Sequence, residues 1–255
     1  MLEDDDTLQM YIEESYEHLE DIENDLLTIE KAGKDFDTDL VNKVFRAAHS
    51  IKGGAGFVGL ANIKKLAHKI ENVLGMMRGR EISPQPEVIS TILKAFDQLR
   101  FMIDDIENSE TMEIDEHIVS LVGITTASLP DSQRESVSEI VDVSMPDGKQ
   151  LMQAPRFDIV QAKKEGKFIY LVEYDLIHDI QRKNKTPLDV LKSLMNSGTI
   201  IQSMIDIQAV GTLDDDIPNR IPFHILFASV IEPEIITSLF DINSKYVHNL
   251  SLIHI

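Results

Sequence analysis

The chain has 255 residues, 43% hydrophobic and 27% charged, with 24 Lys and Arg against 44 Asp and Glu, a formal net charge of −20. So acidic a chain is excluded from binding nucleic acid or anionic membrane through its overall field, since phosphates demand a basic face. With no cysteine it is excluded from disulfide and thiol chemistry, and no apolar run approaches the ~20 residues that a bilayer span needs.

The length allows two domains. The amino terminus, MLEDDDTLQM, lacks the basic and apolar regions of a signal peptide, so a soluble, cytoplasmic protein is expected. Thr7 to Lys31 reads as one long amphipathic helix with Leu8, Ile12, Leu19, Ile22, Leu26 and Ile29 inward. Asp4, Asp5 and Asp6 favour its amino-terminal dipole, and its outer face, from Glu13 to Glu23, is a solvated acidic face.

Gly33 breaks this helix, and Asp37 or Thr38 caps the next. There Val41, Val44, Ala48, Ile51, Ala55 and Val58 recur at three- and four-residue steps, an apolar stripe. His49 lies off that stripe and shares its face with Phe45, Lys52 and Gly53. The helix also carries Gly53, Gly54, Gly56 and Gly59, and each interior glycine costs about 0.5–1 kcal/mol relative to alanine. Such a cost calls for a close helix contact or for bare backbone beside a reactive group. Gly53 is expected to leave the imidazole open to a docking protein.

Leu60 to Arg78 is a second helical pattern, with His68 and Glu71 on one face. A short connection makes the two helices antiparallel neighbours. Glu71 then accepts a hydrogen bond from Nδ1–H of His49, leaving Nε2 with its lone pair outward as a neutral nucleophile. Lys52 supplies positive charge where phosphoryl oxygens would lie.

The run AHSIKGGAGFVGL followed by HKIE resembles the histidine phosphotransfer (Hpt, P1) domain of CheA-type chemotaxis histidine kinases. The resemblance covers roughly the first 125 residues. It implies that His49 is the phosphorylated residue, that Lys52, His68 and Glu71 form its hydrogen-bonded surround, and that Phe45, Gly53, Gly54 and Phe57 lie on the docking surface. Val58 follows Phe57 where the family has a further aromatic position.

Ser83 to Pro86 is a turn before a fourth helix, Glu87 to Glu107, and a fifth spans about Glu113 to Val122. Residues 1–124 are thus expected to form an all-α, up-and-down bundle of about five helices. In 125–166 the periodicity fades among scattered Ser, Thr, Pro and Gly, which reads as a flexible linker, although Val137 to Val143 could pair as a strand.

Residues 167–255 change character. Lys167 to Tyr174 is a strand, Thr186-Pro187 caps a helix through Asn196, and Thr199 to Gly211 and Ile221 to Val230 are strands separated by a turn at Asp214 to Asp216. Glu232-Pro233 opens a helix through Leu239, and Ser244 to Leu250 is a last strand. The order βαββαβ is the split, ferredoxin-like α+β plan, an antiparallel sheet with both helices on one face. His178, His224, His248 and His254 lack ligand partners at metal-binding spacing and read as ordinary histidines. By order and topology this half resembles the P2-type response-regulator docking domain of the same kinases. An ACT-like sensing or dimerisation module is the alternative, and such folds host many functions.

The expected chemistry is a phosphorelay. His49 takes a phosphoryl group from a histidine kinase catalytic domain and passes it to an aspartate of a response regulator receiver domain. No ATP-lid glycine motif and no length for a kinase domain are present, so ATP and Mg²⁺ come from partner domains and the chain itself holds no cofactor or metal. It is either part of a longer kinase or a stand-alone phosphotransfer protein. A non-catalytic helical scaffold is the competing class, against which the joint presence of His49, Lys52 and Glu71 argues.

Overall fold

The computed structural model describes residues 5–129, 139–145, 148, 150–206, 220–238, 240 and 242–250. The chain divides into two compact units, Met1–Val137 and Ser138–Ile255. Among the described residues no helix is long and apolar enough to cross a membrane.

The first unit is helical: α1 (Asp5–Leu19), α2 (Ile22–Ala32), α3 (Thr38–Val58), α4 (Ala61–Arg78), α5 (Pro86–Asp104) and α6 (Asp115–Ser128). The single helix expected from Thr7 to Lys31 is two, interrupted at Glu20 and Asp21. Tertiary partners hold the break. The Arg100 guanidinium donates to the Leu19 carbonyl at 2.7 Å, a carbonyl that a helix end leaves without an intrahelical donor. Lys43 bridges Asp21 and Asp25 at 3.1 and 2.8 Å. Asp37 caps α3 through the amide of Asp39. Gly33 (φ 58°) and Gly59 (φ 81°) end α2 and α3 in a conformation that side chains rarely adopt.

α6 runs on to Ser128, beyond the expected end at Val122 and into the stretch read as a linker. Much of the rest of that stretch, 125–166, forms regular elements too, with residues 130–138, 146, 147 and 149 lying outside those described. β1 (Ile140–Ser144) and β2 (Gln150–Pro155) form an antiparallel hairpin, followed directly by α7 (Arg156–Lys164). Ser, Thr and Pro mask an apolar pattern here. Val143, Met152, Ala154, Ile159 and Ala162 are buried, and they pack on Ile169, Leu171, Ile201, Leu226 and Ala228. Bringing that much apolar surface out of water orders a segment whose composition reads as loop.

Those partners belong to a four-stranded sheet: β3 (Phe168–Asp175), β4 (Thr199–Ile205), β5 (Pro222–Ser229) and β6 (Val247–Asn249). The order across the sheet is β4-β5-β3-β6, and every neighbouring pair is antiparallel. Side chains alternate across its two faces. Ile169, Leu171, Leu226 and Ala228 meet the hairpin and α7. Tyr170, Val172, Tyr174, Phe223, Ile225 and Phe227 are buried on the other face, where Phe240 packs edge-on to Phe227 at 5.7 Å. α8 (Pro187–Met195) connects β3 to β4 and carries a full capping box at Thr186 and Asp189. The short α9 (Pro233–Ile236) precedes β6 and stops before Leu239. Ser244 to Tyr246 is a 3₁₀ turn rather than strand. The expected strand residues 207–211 and the turn at Asp214 to Asp216 lie outside the described residues.

Candidate functional site

α3 and α4 are joined by only Gly59 and Leu60, so they pack antiparallel along their length. The apolar stripe of α3 faces the core, with Val41, Val44, Ala48, Ile51 and Ala55 at most 1% exposed. A second stripe, Phe45, His49, Lys52 and Gly56, meets a stripe of α4 formed by Lys64, His68, Glu71, Gly75 and Arg78. The contacts run in register along this seam. Lys64 lies along Gly56, Lys52 and His49 meet Glu71, and Phe45 meets Gly75 and Arg78.

The centre of the seam is polar and buried. His49 Nδ1 stands 2.6 Å from Glu71 Oε1, and Lys52 Nζ stands 2.6 Å from Glu71 Oε2. His49 is 3% exposed, and Lys52 and Glu71 are each 5% exposed. Burial pushes the Glu71 carboxyl up, but the Lys52 ammonium, His49 and His68 together outweigh it and hold the group well below the usual carboxylate range. Glu71 is therefore ionised and can only accept hydrogen bonds. The proton between it and His49 consequently sits on Nδ1, which assigns the neutral imidazole's lone pair to Nε2. The Phe45 ring lies parallel to the imidazole, centroids 6.0 Å apart and planes 9° apart, and the Arg78 guanidinium caps Phe45 at 4.3 Å.

The structure thus brings His49, Glu71 and Lys52 into direct contact and sets the half-buried His68 where its field reaches Glu71. The expected docking surface is not open. Phe45, Gly53 and Gly54 are buried and Phe57 is half-buried, so Gly53 does not leave the imidazole exposed. Gly54 instead admits α1: a Cβ built there would stand 2.5 Å from Cδ2 of Tyr11. Three side chains were missed from the sequence, namely Tyr11, Lys64 and Arg78. The last two stand seven residues before and after Glu71, a spacing that places them on its stripe. No spacing rule points to Tyr11 from another helix. Among the described residues no group of three or more His, Asp or Glu side chains could hold a metal ion.

The family profile described as "Hpt domain" matches residues 6–109, which include the whole seam. Residues 6–109 are an Hpt domain. The sensor histidine kinase CheAY of Helicobacter pylori is 30% identical over 52% of this chain and 17% of its own length. The chemotaxis protein CheA of Rhizobium meliloti is 37% identical over 36% of this chain and 12% of its own. The solved CheA phosphotransferase domain from Thermotoga maritima is 34% identical, covering 39% of this chain and 92% of that one, with a TM-score of 0.36. The chain therefore spans less than a fifth of the length of either curated relative.

Proposed function

We propose that the Hpt domain relays phosphoryl groups through His49, in the manner of the amino-terminal part of a CheA-type chemotaxis kinase. The observation that carries this reading is the buried His49–Glu71–Lys52 cluster, with Glu71 fixing the tautomer on one side and drawing in Lys52 on the other. In the first step Nε2 attacks the γ-phosphorus of ATP held by a separate kinase catalytic domain. An N–P bond forms, the bridging P–O bond breaks, and ADP departs. The Nδ1–H···Glu71 contact stabilises the phosphoimidazolium that results. In the second step an aspartate carboxylate of a response regulator attacks the same phosphorus, the P–N bond breaks, and the imidazole returns neutral. Positioning and charge stabilisation dominate such transfers. ATP and Mg²⁺ come from the partner domains. His49 is 3% exposed, so each step needs a conformation that uncovers its ring.

The second unit is read as ferredoxin-like, on its β4-β5-β3-β6 order and all-antiparallel pairing. Its role in this account is to dock the response regulator and so raise its effective concentration near His49. The setting is the cytoplasm. An ACT-like sensing module would instead show a ligand-dependent thermal shift of the second unit's transition.

The experiment is incubation of the chain with a chemotaxis-type kinase catalytic core and labelled ATP. Acid-labile, alkali-stable label is expected on the unaltered chain and none on His49→Gln. Label that persists in that variant would refute the assignment.

A further inference from the structure

The second unit holds a cavity of about 170 Å³ against one face of its sheet. Three apolar side chains form the floor: Tyr174 at the end of β3, Val190 on α8, and Phe240 on the segment before β6. Each is at most 6% exposed. The Tyr174 hydroxyl donates to the Phe240 carbonyl at 3.1 Å, which ties the two aromatic residues together. Polar groups form the rim. Asp179 stands on the turn that follows β3, Lys185 on the loop leading to α8, and Asp189 and Ser193 one turn apart on α8. Lys185, Asp189 and Ser193 are exposed and Asp179 is half-buried, so the cavity is apolar inside and charged at its mouth.

Both carboxylates are fixed by the chain itself. Asp179 Oδ2 accepts from the Asp175 amide at 2.9 Å. Asp189 Oδ2 accepts from the Thr186 amide and hydroxyl at 2.7 and 2.8 Å. The Thr186 amide first, then its hydroxyl and the ammonium groups of Lys192 and Lys185, hold the Asp189 carboxyl below its ordinary range against the desolvation that raises it. An ionised carboxylate accepts at both oxygens, so Oδ1 of each remains for a further donor. Acceptors already held in place lose little freedom when a ligand arrives.

We propose that this cavity binds a small zwitterion with an apolar body, the chemistry of an apolar α-amino acid. Asp179 and Asp189 receive its ammonium, Lys185 and the Ser193 hydroxyl receive its carboxylate, and its apolar body lies on Tyr174, Val190 and Phe240. The charges select this class. Two carboxylates repel a simple anion, Lys185 disfavours a bare cation, and the floor gains only from an apolar group. Lys185 already interacts with other groups of the resting chain, and its field reaches Asp189. A zwitterion brings one new charge to each sign, so its entry leaves neither without an opposite. In size the cavity matches one of about 150 Å³ that holds a single benzene ring, so the body is one ring or one branched chain. The inference goes beyond the phosphorelay reading and does not rest on it. His49 plays no part, and a ligand here gives the second unit a sensing role beside docking.

The test is isothermal titration calorimetry of the full chain with L-leucine and L-phenylalanine as probes. The comparison compounds are 4-methylpentanoic acid, which lacks the ammonium, and 3-methylbutylamine, which lacks the carboxylate. Saturable binding of at least one amino acid is expected, with both comparison compounds weaker by about tenfold or more, since each loses a charged hydrogen-bonding group. Asp179→Asn keeps an acceptor for the Asp175 amide but removes the charge, and should weaken binding about tenfold. Ser193→Phe blocks the mouth from an exposed helix position, and reads the same site should Asp179→Asn disturb the fold, which circular dichroism checks. No saturable binding of either amino acid up to roughly 20 mM would overturn the site. So would binding that survives both variants, or a comparison compound that binds as well as the amino acid. Labelling of His49 should be unchanged in both variants, so a failure here leaves the phosphorelay reading standing.

Discussion

Gly54→Ala puts a number on the contact that seats α1 against the site helix. The added Cβ would stand 2.5 and 2.8 Å from Cδ2 and Cε2 of Tyr11. That ring is 2% exposed, and its hydroxyl reaches the Ile51 carbonyl at 3.4 Å. It is not the far end of a flexible chain, so it must move by about 1 Å to restore ordinary contact, and overpacking of this kind costs about 1–3 kcal/mol. Against this stands the helix-propensity gain of alanine over glycine, about 0.5–1 kcal/mol. The net expectation is destabilisation by about 1–2 kcal/mol, or a loss of roughly 3–8 °C in Tm for a domain of this size. Gly123→Ala supplies the control. It makes the same exchange inside α6, where an added Cβ meets nothing within 4 Å, so only the propensity gain remains and the domain should become more stable by about 0.5–1 kcal/mol. Urea unfolding followed by circular dichroism at 222 nm reads both. If the two variants shift in the same direction, the close approach of Tyr11 is not what demands glycine at position 54. A Tyr11→Leu background should recover much of the Gly54→Ala loss, since the pair is coupled.

Glu71→Gln leaves Lys52 buried without its counter-ion and should destabilise the bundle by about 3–5 kcal/mol at pH 7, as measured by urea midpoint. The folded Glu71 carboxyl titrates well below its unfolded value near ~4.3, so its stabilisation is complete above that value and declines as pH falls further. The gap between unaltered chain and variant should therefore narrow below about pH 4, and a gap that widens in acid would contradict the assignment. Gly198→Ala would bring a Cβ to 2.3 Å from the Ala228 carbonyl oxygen and 2.5 Å from Cζ of Phe227. Its thermal transition should fall by more than that of Gly54→Ala, because strand backbone yields less than a side chain. A fragment beginning at residue 160 lacks the hairpin and half of α7, uncovers the sheet face at Ile169, Leu171 and Leu226, and should bind a hydrophobic dye. Native-like dye exclusion by that fragment would show the hairpin to be dispensable.

By itself the sequence determined that the first unit is helical and that His49, Lys52 and Glu71 lie on neighbouring helices. Periodicity places Val41 to Ala55 inward, which leaves His49, Lys52 and Glu71 on faces that a two-residue connection must bring together. Such patterns are local, and local patterns survive folding. Three matters were settled only in three dimensions. The break at Glu20 depends on Arg100, some eighty residues away. The burial of β1, β2 and α7 depends on a sheet face whose strands come later in the chain. The burial of His49, Phe45 and Gly53 depends on packing that their own helix does not encode. In each case a contact distant in sequence outweighs the preference of the local segment, and a one-dimensional pattern does not carry that information.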